Sequence, residues 1–164
     1  MKTTSKQFRI LAISLSSRGF GYAVLEGNSR LISYGHTVIN KNKNVRSLAH
    51  ISKMIIRNEP DVIALRSVEA KGTHRSPRIK RLHTDVVALA KKQKLKVAEI
   101  SGPQLRNCLL VSPNGTKQEM AESLAKNFPD ELASRLPPKR KIYTSEDSRM
   151  DIFDAVGLTV ALKA

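Results

Sequence analysis

Apolar residues fall first in short, dense extended runs and later at helical intervals. Gln7 to Leu15 carries Phe8, Ile10, Leu11 and Ile13 among β-formers, which predicts a strand. Ser16, Ser17, Arg18 and Gly19 break that run. Phe20 to Leu25 predicts a second strand, Gly27 and Asn28 a turn, and Arg30 to Asn40 a third strand, so the chain opens as a three-stranded meander. Val45, Leu48, Ile51 and Ile55, with Ile56 alongside, then follow helical spacing, and the helix should stop before Pro60 because a residue preceding proline disfavours the helical conformation.

Asp61 to Val68 is a short apolar run bounded by Pro60 and Gly72, which suits a buried central strand. Arg78 to Lys94 places Ile79, Leu82, Val86, Leu89 and Ala90 on one stripe, a second amphipathic helix, and Leu95 to Ile100 predicts a fifth strand. Thr116 and Glu119 form a capping-box pattern opening a helix to about Asn127. The last helix is expected from about Ser148 to Leu162, with Phe153, Val156 and Val160 inward. The predicted order is βββαβαβαα, with residues 1–164 read as a single domain.

Charge narrows the class of partner. The chain has 29 Lys and Arg against 14 Asp and Glu, a formal charge of +15. Met1 to Arg57 holds 10 basic residues and 1 acidic, Lys71 to Arg106 holds 10 and 2, and Asn107 to Ala164 holds 8 of each. The excess therefore lies in the first two thirds, which points to a polyanion. Nucleic acid is favoured over membrane, because there is no long basic amphipathic helix with a bulky aromatic face and no apolar run near the ~18 residues needed to span a bilayer. Aromatic residues make up 4% of the chain and none is Trp, which argues against a base-stacking platform and for recognition of backbone and shape. A single cysteine, Cys108, excludes an internal disulfide and fits a reducing, cytoplasmic setting. It reads better as a small buried residue than as a nucleophile. His36, His50, His74 and His83 show no metal-ligand spacing and are expected as surface or capping residues.

Two basic stretches are candidate nucleic-acid contacts. KGTHRSPRIKR at Lys71 to Arg81 should form a loop feeding a helix N-terminus, with Lys71, Arg75, Arg78, Lys80 and Arg81 available to phosphate. Lys139, Arg140 and Lys141 follow Pro137 and Pro138 in an exposed loop.

Three local stretches resemble the RuvC-like Holliday junction resolvase family: ILAISLSSRGFGYAVLEG the first hairpin, PDVIALRSVEAKG the central strand and following loop, and MDIFDAVGLTVAL the C-terminal helix with two aspartates three apart. The resemblance implies an α/β, ribonuclease H-like fold: a five-stranded mixed sheet of three antiparallel strands and two parallel additions, flanked by helices. It further implies carboxylates gathered around two Mg²⁺ ions that hold the attacking water and the leaving oxygen. At the matching positions stand Ser14 and Arg66, and only Asp151 and Asp154 keep carboxylates.

These departures set the expectations for function. The chain should bind structured or double-stranded DNA or RNA without a metal or other cofactor and should not be an enzyme; the resemblance allows a homodimer, as its relatives tend to form, and the sequence leaves the oligomeric state open. Arg66 is expected to pair with Asp154, and with Asp151 as well, in the space of the ions. Asp151 has a second explanation, the favourable dipole at a helix start. Glu69, an odd number of residues from Arg66, should face away from it. The alternative is a divergent Mg²⁺-dependent endonuclease using Asp151 and Asp154 with an unidentified further ligand.

Overall fold

The computed structural model describes residues 6–68, 75–109, 115–141 and 144–163. Strands β1 (Arg9–Leu15), β2 (Gly19–Glu26) and β3 (Arg30–Val38) form the expected antiparallel meander. Strand β4 (Val62–Arg66) pairs parallel with β1, and β5 (Lys96–Ile100) pairs parallel with β4, giving the order β3-β2-β1-β4-β5. The two apolar central strands β1 and β4 are thus buried on both faces, which their near-continuous hydrophobic runs require.

Alternation splits the core in two. Leu11, Ile13, Ile63 and Leu65 face helices α1 (Lys43–Asn58) and α2 (Pro77–Lys92), while Ile10, Ala12, Val62 and Ala64 face the other side. There they meet α3 (Gly102–Leu109), α4 (Lys117–Asn127), the short α5 (Pro129–Leu132) and above all α6 (Met150–Lys163). From Met150 to Thr159 every residue of α6 except Asp154 is buried, so this helix lies in the protein interior.

Helix starts follow their caps. The Ser76 hydroxyl accepts from the Ile79 amide with Pro77 opening α2, and the Thr116 hydroxyl accepts from the Glu119 amide at α4.

Four expectations need correction. Val45 is 74% exposed rather than inward, because the stripe α1 buries runs Ser47, Ile51, Ile55 at four-residue steps and Val45 lies off it. Helix α3 follows β5 where the sequence pattern placed no element between Ile100 and Thr116. Cys108 is exposed, because α3 turns Leu105 and Leu109 inward and leaves it outside. His83 is buried rather than superficial, between α2 and β5, with its Nε2 2.8 Å from Glu99 Oε1.

Candidate nucleic-acid interface

Parallel pairing of β1 with β4 brings their carboxyl ends to one edge of the sheet, where open α/β folds place their ligands. Ala12 is opposite Ala64 and Ile13 opposite Leu65, so Ser14 and Arg66 come next in register and on the α6 side. Gly21 pairs with Ser14 across the hairpin, and a Cβ there would fall on the Asp151 backbone carbonyl. That glycine lets the first turn of α6 settle on the sheet, and the turn carries Asp151 to the carboxyl end of β1.

The cleft at this edge has a volume of about 320 Å³ and is walled by the β1–β2 turn, Arg75, Lys117, Glu146, Asp151 and Asp154. Asp151 is 2% exposed, so its side-chain oxygens need hydrogen-bond partners. Arg18 Nη2 donates to its Oδ1 at 2.8 Å and the Ser16 hydroxyl to its Oδ2 at 2.9 Å. Asp154 pairs with Lys117, Nζ to Oδ2 2.9 Å, and Glu146 accepts from the same ammonium while lying 4.0 Å from Arg18 Nη2. Burial pushes the Asp154 carboxyl above its ordinary range against the pull of Lys117, with Glu146 and Asp151 adding to the rise. Lys117, drawn by Asp154 and Glu146, is held above its usual value although burial opposes this.

The expected bridge from Arg66 to the aspartates is absent: among the described residues Arg66 has no carboxylate within 4.0 Å. Asp154 has a cationic partner, but it is Lys117 from the first turn of α4, and Asp151 is taken by Arg18 from the hairpin turn. The Arg66 guanidinium turns instead toward the start of α3, where its Nη2 lies 2.6 Å from the place a Gly102 Cβ would occupy. Its Nε is buried without a hydrogen-bond partner. Burial and the neighbouring charge of Arg75 lower its pKa, Asp154 counters this, and Arg106 lowers it further.

The basic stretches divide by position. Arg75 and Arg78 face the cleft rim, donating to the Leu15 carbonyl at 3.2 Å and to the Ser16 carbonyl at 3.2 Å, and Arg78 also donates to Asn44 Oδ1 at 3.0 Å. Lys80 and Arg81 are exposed on the first turns of α2. Lys139, Arg140 and Lys141 are exposed, and Arg140 Nε donates to the Thr144 carbonyl at 2.6 Å. Lys71, His74 and Glu69 lie outside the described residues. Sequence reasoning passed over Arg18, Lys117 and Glu146, and the only signal for Lys117 was its place directly after the Thr116 cap.

The paired Mg²⁺ ions that the resemblance implies do not fit these residues. Ser14 offers a hydroxyl and Arg66 a cation, while Arg18 and Lys117 already occupy oxygens of Asp151 and Asp154. Among the described residues no group of three or more His, Cys, Asp and Glu side chains is arranged to hold a metal ion.

No protein-family model matches the chain, and no curated protein matches it in sequence. Solved structures do. RuvC of Thermus thermophilus superposes with a TM-score of 0.68 at 15% identity, over 94% of this chain and 92% of that one. The yeast mitochondrial Holliday junction resolvase Ydc2 gives 0.61 at 14% identity, over 99% and 80%. The Fowlpox virus resolvase, solved with its substrate Holliday junction DNA, gives 0.54 at 16% identity, over 94% and 97%. The fold is that of the RuvC-like resolvases.

The RuvC-like fold corrects the expectation that the chain is not an enzyme. The proteins that share it here are resolvases, and nothing in the structure shows that cleavage has been lost. Among the described residues no helix is long and apolar enough to cross a membrane.

Proposed function

We propose that this RuvC-like chain binds branched or double-stranded DNA by its phosphate backbone, across the cleft at the carboxyl ends of β1 and β4. The observation that carries this reading is the excess of arginine beside the cleft: Arg75 on its wall, Arg66 at the carboxyl end of β4 and Arg106 on α3 have no carboxylate within 4.0 Å among the described residues, at the edge where this fold class receives ligands. Arg75, Arg78, Lys80 and Arg81, together with Lys139, Arg140 and Lys141, extend the contact to phosphates beyond the cleft, and Lys71, outside the described residues, is proposed with them. Binding needs no cofactor in this reading, so EDTA should leave it unchanged. A homodimer is part of the proposal, with sedimentation velocity as its check.

The test is affinity for a four-way junction, linear duplex DNA and double-stranded RNA over a range of salt. The log–log slope should be about −0.9 per neutralised phosphate on duplex DNA. Failure to bind any of the three at low salt would overturn the reading, and preference for RNA would redirect it.

A second reading, cleavage of the bound strand, is favoured by Glu146, which brings a third carboxylate to Asp151 and Asp154. Arg18 and Lys117 would have to yield the oxygens they hold. Strand scission of junction DNA with Mg²⁺ or Mn²⁺ that Asp154→Asn abolishes would establish it; scission unaffected by that change would exclude this cluster as its source.

A further inference from the structure

The carboxyl end of β4 is cationic where the fold resemblance calls for an acid, and three arginines meet there. The Arg66 and Arg106 guanidinium groups both reach within 4 Å of the position a Gly102 Cβ would take, at 2.6 Å for Nη2 and 3.7 Å for Nη1 respectively. Arg66 and Arg75 share the wall of a recess of about 10 Å³, scarcely one water's worth of space, and Arg75 also lines the acid-bearing cleft. None of the three has a carboxylate within 4.0 Å among the described residues. Arg75 satisfies one donor on the Leu15 carbonyl, whereas Arg66 Nε is buried with no partner. Arg18 Nε is also unpartnered, but its Nη2 spends its charge on Asp151.

Like charges held together beside a helix start, where the amides themselves are positive, repel one another, and an anion relieves all of these costs at once. A planar guanidinium matches the oxygens of phosphate in a two-pronged fashion, and Gly102 leaves room because no Cβ stands in front of Arg66.

We propose that Arg66, Arg75 and Arg106 form one phosphate-binding site at the start of α3, which grips a single phosphate group of the bound nucleic acid. The inference rests on the proposed function for the source of that phosphate. It adds which group is held and inverts the charge logic of the position: an anion is held by Arg66 where the resemblance implies a cation held by an acid.

The experiment compares junction-DNA affinity against salt for the full chain, Arg66→Gln, Arg106→Ala and the double variant. Each single change should flatten the slope by about 0.9, the share of one phosphate. The double should flatten it no further, because the residues act on the same group. Parental slopes in both single variants, with the parent binding normally, overturn the site and leave the functional reading intact. Additive loss in the double assigns the two arginines to separate phosphates and overturns it too.

Inorganic phosphate supplies a readout independent of DNA. The Arg66 Nε–H resonance should shift saturably in the parent and not in Arg106→Ala, whose exposed side chain can be removed without disturbing the core. No saturable shift in the parent overturns the site whatever the DNA result. If phosphate shifts the resonance while the parent binds no nucleic acid, the site stands and the functional reading falls. Junctions with and without 5′-phosphates separate the sources: equal affinity marks an internal phosphodiester, and a gain that Arg106→Ala removes marks a terminal phosphate.

Discussion

The acid-bearing cleft and the arginine group beside it, toward α3, handle charge in opposite ways. At the α6 end, Asp151, Asp154 and Glu146 are met by Arg18 and Lys117. Toward α3, Arg66, Arg75 and Arg106 have no carboxylate within 4.0 Å among the described residues; Arg75 donates to a backbone carbonyl and Arg66 feels Asp154 only at longer range. Balanced charges fasten the hairpin turn, α4 and α6 together. The unpaired arginines lack such a fastening role, and in the proposed reading they are free to take a phosphate. The contrast teaches that burial alone does not say what a charged residue is for; the sign of its neighbours does.

The sharpest way to break this comparison is to remove a cation from each end. Arg18→Ala leaves the buried Asp151 carboxylate with the Ser16 hydroxyl alone, and should destabilise the fold by about 3 kcal/mol, the lower end of the range for orphaning a buried charge, since Arg18 is itself partly open to water. Arg66→Met removes a cation with no carboxylate partner, and should leave the denaturation midpoint within about 1 kcal/mol of the parent or raise it. Equal losses from the two changes, read by denaturant unfolding, would erase the distinction between a fastening end and a binding end.

How far the sequence disclosed this arrangement depends on range. The five strands, their order and the helices α1, α2, α4 and α6 were legible because each rests on local alternation or helical spacing with a cap or a proline nearby. Helix α3 carries a local signal of its own: Ser101 Oγ accepts from the Gln104 amide and Gln104 Oε1 accepts from the Ser101 amide, a capping box whose Ser-x-x-Gln spacing is present in the sequence. The positions of Asp151 and Asp154 at the cleft were legible from their three-residue spacing and the resemblance. Their partners were not. Arg18 lies 133 residues from Asp151, and whether it, Lys117 or Arg66 reaches the acids is decided by the packing of turns and helix ends that no spacing encodes.

A smaller effect sharpens the balanced end. Because the Asp154 carboxyl is raised in the folded state, its protonated form contributes stability that is fully present below the ordinary value of 3.8 and is lost as pH rises through the folded value. The stability advantage of the parent over Asp154→Asn should therefore shrink as pH increases from 4 toward neutrality. Lys117 works at the other limit: its raised pKa contributes stability present below the ordinary 10.5 and lost as pH climbs through the folded value above it. Lys117→Met should be less damaging in that alkaline range than at pH 7. Unfolding midpoints across pH measure both, and a parent advantage over Asp154→Asn that grows between pH 4 and 7 would mean that the pull of Lys117 exceeds the penalty of burial.

The smallest expected change belongs to a pair outside the cleft that serves as the control. Asp147 and Arg149 stand just before α6, joined by two side-chain hydrogen bonds at 2.8 and 3.0 Å, and both are more than a third exposed. The side-chain and backbone hydrogen bonds from Arg149 hold the Asp147 carboxyl down at about 2. Its contribution to stability is thus present above the ordinary carboxylate value and lost only as pH falls through about 2, with water screening most of it at every pH. Arg149→Ala should return the Asp147 carboxyl to the ordinary range in a ¹³C NMR titration while leaving the neutral-pH midpoint unchanged. The cleft acids, the neighbouring arginines and this surface pair then form a graded series, in which the stability effect of losing a cation follows how much its anionic partner is buried and not how short or how many the hydrogen bonds are: Asp147 receives more bonds from Arg149 than Asp151 does from Arg18, at the same 2.8 Å, but its side chain is 35% exposed against 2%. A midpoint shift in Arg149→Ala as large as that in Arg18→Ala would show that bond geometry, not burial, sets the scale.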